Sequence, residues 1–164
     1  MNANEIIRCA FAGNKFIPNP DKTKEDIWQT AINLIENHGV TVFWVGNYGT
    51  FDRIAAHTIY LLKKQYPHIR LEMVIPYLTQ SLLQDDLTRG YVDEIFVADI
   101  PPKTPRRFML SKANQYMVAN CQYLIAYVVN PNIGGAAQTM DFARRKKKMI
   151  MNLGGDDYRN TEIG

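Results

Sequence analysis

The chain has no apolar run approaching the roughly 18 residues that a membrane-spanning helix needs. Glu5 and Arg8 interrupt the amino terminus where a secretory signal would carry its apolar core. Cysteine is scarce: Cys9 and Cys121 each lie in an apolar, strand-like run, which suits small buried hydrophobes rather than a disulfide or a metal site. These absences lead to the expectation of a soluble protein kept in the reducing cytoplasm. The three histidines, His38, His57 and His68, show no metal-ligand spacing, so no metal is expected. Also missing are a nucleophile elbow, a Walker lysine after a glycine turn, and an acidic residue at the end of the second strand to grip an NAD ribose. Ordinary dehydrogenase and NTPase chemistry is thereby excluded, and no cofactor is expected.

What is present is enough for one sizeable core. At 164 residues and 46% hydrophobic, the chain is expected to form a single domain over residues 1–164. The net charge of +3 owes much to the basic run at residues 144–148. That run ends a helical pattern, where cations suit the dipole and face water, and no aromatic residues are interleaved with it to stack on nucleic-acid bases.

The most informative stretch closes an apolar strand, residues 123–129, with a small-residue turn and opens a helix directly out of it. Gly134 and Gly135 have no Cβ, so a ligand can approach the backbone, and the N–H groups near Ala136, Ala137 and Gln138 point towards it with the positive end of the helix dipole. Such a turn suits phosphate, or else serves only as a helix entry. A second turn of the same kind follows the apolar residues 40–45, with Gly46, Asn47, Tyr48, Gly49 and Thr50 leading into a helix whose first turn holds Asp52. In an open parallel sheet all such turns emerge at the carboxyl ends of the strands, where ligands bind. Gly13, Asn14 and Lys15 end the first strand at that same edge. Tyr48 is expected to face the edge as a stacking platform, while Phe51 is expected to pack inward.

In chain order, strands are expected at residues 6–12, 40–45, 69–75, 93–98, 123–129 and 148–153, separated by helical patterns. Thr23 with Asp26 is expected to open the first helix, which runs to about His38 with Gly39 as its C-cap. A short helix is expected within residues 77–90. Thr104 and Pro105 are expected as N-cap and first residue of the helix before the fifth strand, which places Arg106 and Arg107 in its first turn near the ligand edge. Residues 154–164 form a polar tail expected to be loosely held. Alternating strands and helices imply an α/β protein, a Rossmann-like three-layer α/β/α sandwich with a mainly parallel sheet.

The motifs Cys9 to Lys15, Phe43 to Ala55, Ile69 to Tyr77, Pro105 to Arg107, Asn114 to Val118 and Gly134 to Thr139 together resemble the SLOG superfamily in its YpsA-like branch. The resemblance implies a Rossmann-like domain that handles nucleotides, and family relatives often form homodimers. Relatives include LOG-type phosphoribohydrolases, DNA-binding DprA proteins, and sensors of NAD-derived cyclic nucleotides in antiphage signalling. The hydrolases read Gly-Gly-x-Gly-Thr-x-x-Glu where this chain reads Gly134-Gly135-Ala136-Ala137-Gln138-Thr139-Met140-Asp141. Asp141 is thus the carboxylate implied for a hydrolase, one methylene short. The arginine-lysine pair of those enzymes falls on Ala113 and Asn114 if Met117 is their following methionine, which leaves the phosphate without its cation unless Lys15, Arg106 or Lys112 replaces it.

The expected function is a sensor-like module that binds a nucleotide or NAD-derived phosphate ligand, with N-glycosidic hydrolysis of nucleoside monophosphates as the alternative. Single-stranded nucleic-acid binding is third, because it asks for a longer basic groove with stacking aromatics than Lys15, Arg106 and Tyr48 supply.

Overall fold

In the computed structural model, residues 5–85 and 90–155 are described. Six strands and five helices follow one another among these residues: β1 (Arg8–Gly13), α1 (Pro20–His38), β2 (Val42–Val45), α2 (Thr50–Leu62), β3 (Arg70–Ile75), α3 (Gln80–Leu83), β4 (Glu94–Val97), α4 (Arg106–Ala119), β5 (Tyr123–Tyr127), α5 (Gly135–Arg145) and β6 (Met149–Asn152). All pairings are parallel, in the order β4-β3-β2-β1-β5-β6. The protein is therefore an α/β Rossmann-like fold. None of the described helices is long and apolar enough to cross a membrane.

The strand order explains the layers. The sheet grows from β1 outwards to β4, then returns to the other side of β1 for β5 and β6. Parallel crossovers are nearly always right-handed, so helices before and after the reversal cover opposite faces. Side-chain alternation along the strands supplies both cores. Cys9 and Phe11 of β1, Phe43 and Val45 of β2 and Leu71, Met73 and Ile75 of β3 pack with the buried stripes of α1 and α2. Ala10, Ala12, Trp44, Val74, Leu124 and Ala126 face the other way, against Ala113 and Met117 of α4 and Ala137, Met140 and Ala143 of α5. Alanine on both sides of this second layer lets α5 lie close to the sheet beside the ligand edge.

Several boundaries differ from expectation for local reasons. α1 begins at Pro20, not near Thr23: the Lys22 N–H donates to Asn19 Oδ1 at 3.2 Å, and Thr23 is buried inside the helix. Asn followed by Pro is itself a helix start, since proline lacks the N–H that would be orphaned there. Gly39 does cap the other end, with φ of 71°. Thr104 does not cap α4, because its hydroxyl donates to Pro101 O at 2.7 Å and Pro105 takes the cap position. β5 stops at Tyr127, where Val128 turns its N–H to Asn152 Oδ1 at 2.9 Å instead of to the ladder. The short helix expected within residues 77–90 is α3, with the Thr79 hydroxyl accepting from the Leu82 N–H; residues 86–89 lie outside the described residues. Residues 156–164 of the expected tail do so too. Arg144 and Arg145 end α5 exposed to solvent.

Candidate functional site

At the reversal of strand order, the loops after β1 and β5 leave for opposite faces and open a crevice, the place where open α/β sheets hold ligands. The β1 loop is pinned on two sides. Asn14 N–H donates to Tyr127 O at 3.0 Å, and Lys15 O accepts the Thr50 N–H at 3.2 Å. A cavity of about 550 Å3 lies over this point, within the usual range for small-ligand sites. Asn14, Lys15, Tyr48, Gly49 and Asp52 form one wall and Gly134, Gly135 and Ala136 the other. Leu110 and Asn114 of α4, with Val129, Asn130 and Ile133 from the β5 loop, close the remaining side.

The second wall is the start of α5. Gly134 holds φ of 98°, a left-handed value that residues other than glycine rarely adopt, while Gly135 has no such constraint. Apart from their chain neighbours and the helix's own backbone, no atom of the described residues lies within 4 Å of where a Cβ would stand at either residue, so the space before them is open. Among the described residues, no side chain caps this helix. The Gln138 N–H makes the first helical bond, to Gly134 O at 3.1 Å, which leaves the N–H groups of Gly135, Ala136 and Ala137 with no acceptor among the described residues. Against expectation, then, the Gln138 N–H is used by the helix and is not offered to a ligand.

The first wall is organised differently. Asp52 Oδ2 accepts the Tyr48 N–H at 3.0 Å and folds the turn onto the start of α2. A Cβ at Gly46 would come within 3.3 Å of that same oxygen, and one at Gly49 within 3.0 Å of the Lys15 Cα, so both glycines serve close packing of the turn. Thr50 contributes its N–H to Lys15 rather than a surface to the cavity. Gly13 lines the floor, but a Cβ there would meet the Phe51 ring at 2.2 Å. Phe51 is fully buried, and Tyr48 is 39% exposed towards the edge.

Other expected residues lie elsewhere. Gln138, Thr139 and Asp141 line a separate hollow of about 210 Å3. Thr139 donates its hydroxyl to Gly135 O at 2.9 Å, and Asp141 is exposed and paired with Arg144 and Arg145 at 3.8 and 3.5 Å. Asp141 is seven residues beyond Gly134, about 10 Å along a helix axis. Arg106 is exposed, with its guanidinium carbon 4.2 Å from the centre of the Tyr77 ring, and it does not line the main cavity. Asn47 faces a neighbouring hollow. Leu110, Val129 and Ile133 line the cavity although no motif points to them. Val129 and Ile133 carry one signal in the sequence, as large apolar residues beside the turn, and they are 61% and 69% exposed; Leu110, within α4, carries none.

Lys15 is the sole cation among the described residues lining the cavity, and Asp52 its sole carboxylate. Burial raises the Asp52 carboxyl from 3.8 to about 6, against the opposing effect of the Tyr48 hydrogen bond. A carboxyl whose folded value is raised contributes stability fully present below the unfolded value and lost as pH rises through about 6. Asp52→Asn is therefore expected to unfold at a higher temperature than the parent at pH 8, with the gap closing towards pH 4. Thermal unfolding across that range checks this, and a gap that stayed constant or widened in acid would contradict it.

The YpsA family model, described as the YspA SLOG family, matches residues 17–152. Among solved structures, DNA processing protein A from Helicobacter pylori, described for its single-stranded DNA binding mode, is 17% identical with a TM-score of 0.61, covering 88% of this chain and 63% of that one. DNA processing protein A (DprA) from Streptococcus pneumoniae is 16% identical with a TM-score of 0.63, covering 88% and 49%. The Moco carrier protein of Chlamydomonas rheinhardtii is 12% identical with a TM-score of 0.56, covering 95% and 80%. At these identities the likeness concerns the fold alone, and this chain spans less than two thirds of either DNA processing protein. No curated protein matches the chain.

Proposed function

Because the chain belongs to the YpsA family of SLOG proteins, we propose that it is a sensor-like module that binds a nucleotide or an NAD-derived phosphate ligand at the carboxyl edge of its sheet. The observation that carries this reading is the start of α5: an uncapped helix with open space before Gly134 and Gly135, facing a cavity with Lys15 opposite. The phosphate lies against the free N–H groups of residues 135–137, where charge-assisted hydrogen bonds and the dipole act together. Tyr48 offers an exposed ring for the base, and Leu110, Val129 and Ile133 give the cavity apolar surface on which a nucleoside can rest.

Hydrolysis of an N-glycosidic bond asks for more. A carboxylate must sit close to the ribose to stabilise charge at the anomeric carbon, with a cation holding the phosphate in register. Asp141 is outside this cavity and occupied by two arginines, and Ala113 is buried without charge. Asp52 is the carboxylate that does line it, but it is tied to the Tyr48 N–H. Binding without turnover is the function these positions support best.

Calorimetry with AMP, GMP, CMP and UMP is expected to show saturable binding of at least one of them. The same mixtures should release no free base above the rate of an Asp141→Asn control. Base release that disappears in the Asp141→Asn protein would instead establish the hydrolase. If neither these nucleotides nor an NAD-derived nucleotide bound, the proposed class of ligand would be wrong.

A further inference from the structure

A second hollow, of about 530 Å3, lies beside the main cavity on the same sheet edge, and Tyr48 lines both. Its walls come from Asn47 after β2, Ile75 and Tyr77 at the end of β3, and Thr79 and Leu82 of the following segment. The ring of Tyr77 carries the guanidinium carbon of Arg106 at 4.2 Å. Arg106 is exposed, and no carboxylate pairs with it among the described residues. A cation held on an aromatic face beside a hollow, with no counter-ion, offers both a flat surface to a base and charge to a phosphate.

We infer, resting on the nucleotide reading above, that the edge binds a 5′-phosphorylated dinucleotide across both hollows, with Tyr48 between its two nucleosides. The terminal phosphate sits at Gly135 and the first nucleoside in the cavity over β1 and β5. The second base stacks against the Tyr77–Arg106 pair over β2 and β3, and the linking phosphate meets the guanidinium charge. The two hollows are similar in size, each within the range of a small-ligand site. A longer strand would need a track of cations to follow its repeating phosphates. The described lining residues supply only Lys15 in one hollow and Arg53 in the other, the latter paired with Asp85 at 3.5 Å.

Titration calorimetry compares AMP, GMP, CMP and UMP with 5′-phosphorylated dinucleotides built from them, and with a longer single-stranded oligonucleotide of the same bases. The preferred dinucleotide is expected to bind at least about tenfold more tightly than its mononucleotide, consistent with the contribution of one stacked base. Tyr77→Ala is expected to remove that advantage while leaving mononucleotide affinity unchanged, and Arg106→Ala, on the surface, to do the same if Tyr77→Ala folds poorly. Equal affinity of dinucleotide and mononucleotide in the parent would overturn the second site and leave the first standing. Affinity that kept rising with oligonucleotide length would overturn the dinucleotide in favour of a polymer. Failure of the parent to bind any nucleotide would remove both proposals.

Discussion

Gly135→Val is expected to abolish nucleotide binding while leaving the fold intact. Gly135 is the first residue of α5, its backbone is not left-handed, and beyond its chain neighbours and its own helix backbone nothing among the described residues lies within 4 Å of where its Cβ would stand, so valine fits the folded chain. Its methyl groups would instead fill the space directly before the N–H groups of residues 135–137. A phosphate pushed off them loses two or three hydrogen bonds to a charged group, each contributing about 1.5–3 kcal/mol. The loss in affinity should then exceed about 100-fold. Gly134 would be a poorer probe, because its φ of 98° makes any side chain strain the backbone and mixes loss of binding with loss of stability. Calorimetry with the parent's preferred nucleotide, alongside thermal unfolding, separates the two. Unchanged affinity in a folded Gly135→Val protein would remove this site from consideration.

Gly13→Ala should have the opposite signature, a large loss of stability that originates in the core. The added Cβ would stand 2.2, 2.3 and 2.7 Å from atoms of Phe51. That ring cannot simply swing aside, since it packs edge-on to Phe11 with centroids 6.2 Å apart and against Tyr127 at 6.0 Å. Overpacking of a close-packed core typically costs about 1–3 kcal/mol and more where the neighbours are rigid. For a chain of this size the melting temperature should fall by about 5–10 °C. Reducing Phe51 to leucine should recover part of the loss, so that the double variant is more stable than the two single changes added together predict. A Gly13→Ala protein melting within about a degree of the parent would show that the ring yields and that the close approach does not matter.

These two glycines show how one sequence signal can have different physical causes. Both lie at the carboxyl edge where the sequence places the ligand. At Gly135 the space is open; at Gly13 an aromatic ring from α2 occupies it. Nothing local to Gly13 announces Phe51, which lies 38 residues further on and arrives only when α2 packs beside β1. Tyr48 and Phe51 themselves are separable from the sequence, because Phe51 falls on the apolar stripe of its helix and Tyr48 precedes it.

The sequence by itself determined the alternation of strands and helices, the parallel sheet that follows from long crossovers, and the edge where two glycine turns and the β1 loop emerge. Those features are encoded in neighbouring residues, through apolar period and the punctuation of glycine and proline. Tertiary structure alone decided which side chains share the cavity. Leu110 and Asn114 arrive there because the reversal of the sheet carries α4 to the face above β1, and the Asp52 carboxyl is pushed up to about 6 by its partial burial in the cavity wall. Asp141 lies outside for a geometric reason: two helical turns carry it down α5, away from the residues at its start that meet the cavity. Motif spacing counts residues along one chain segment, whereas a cavity is made by segments that meet only after the layers have packed.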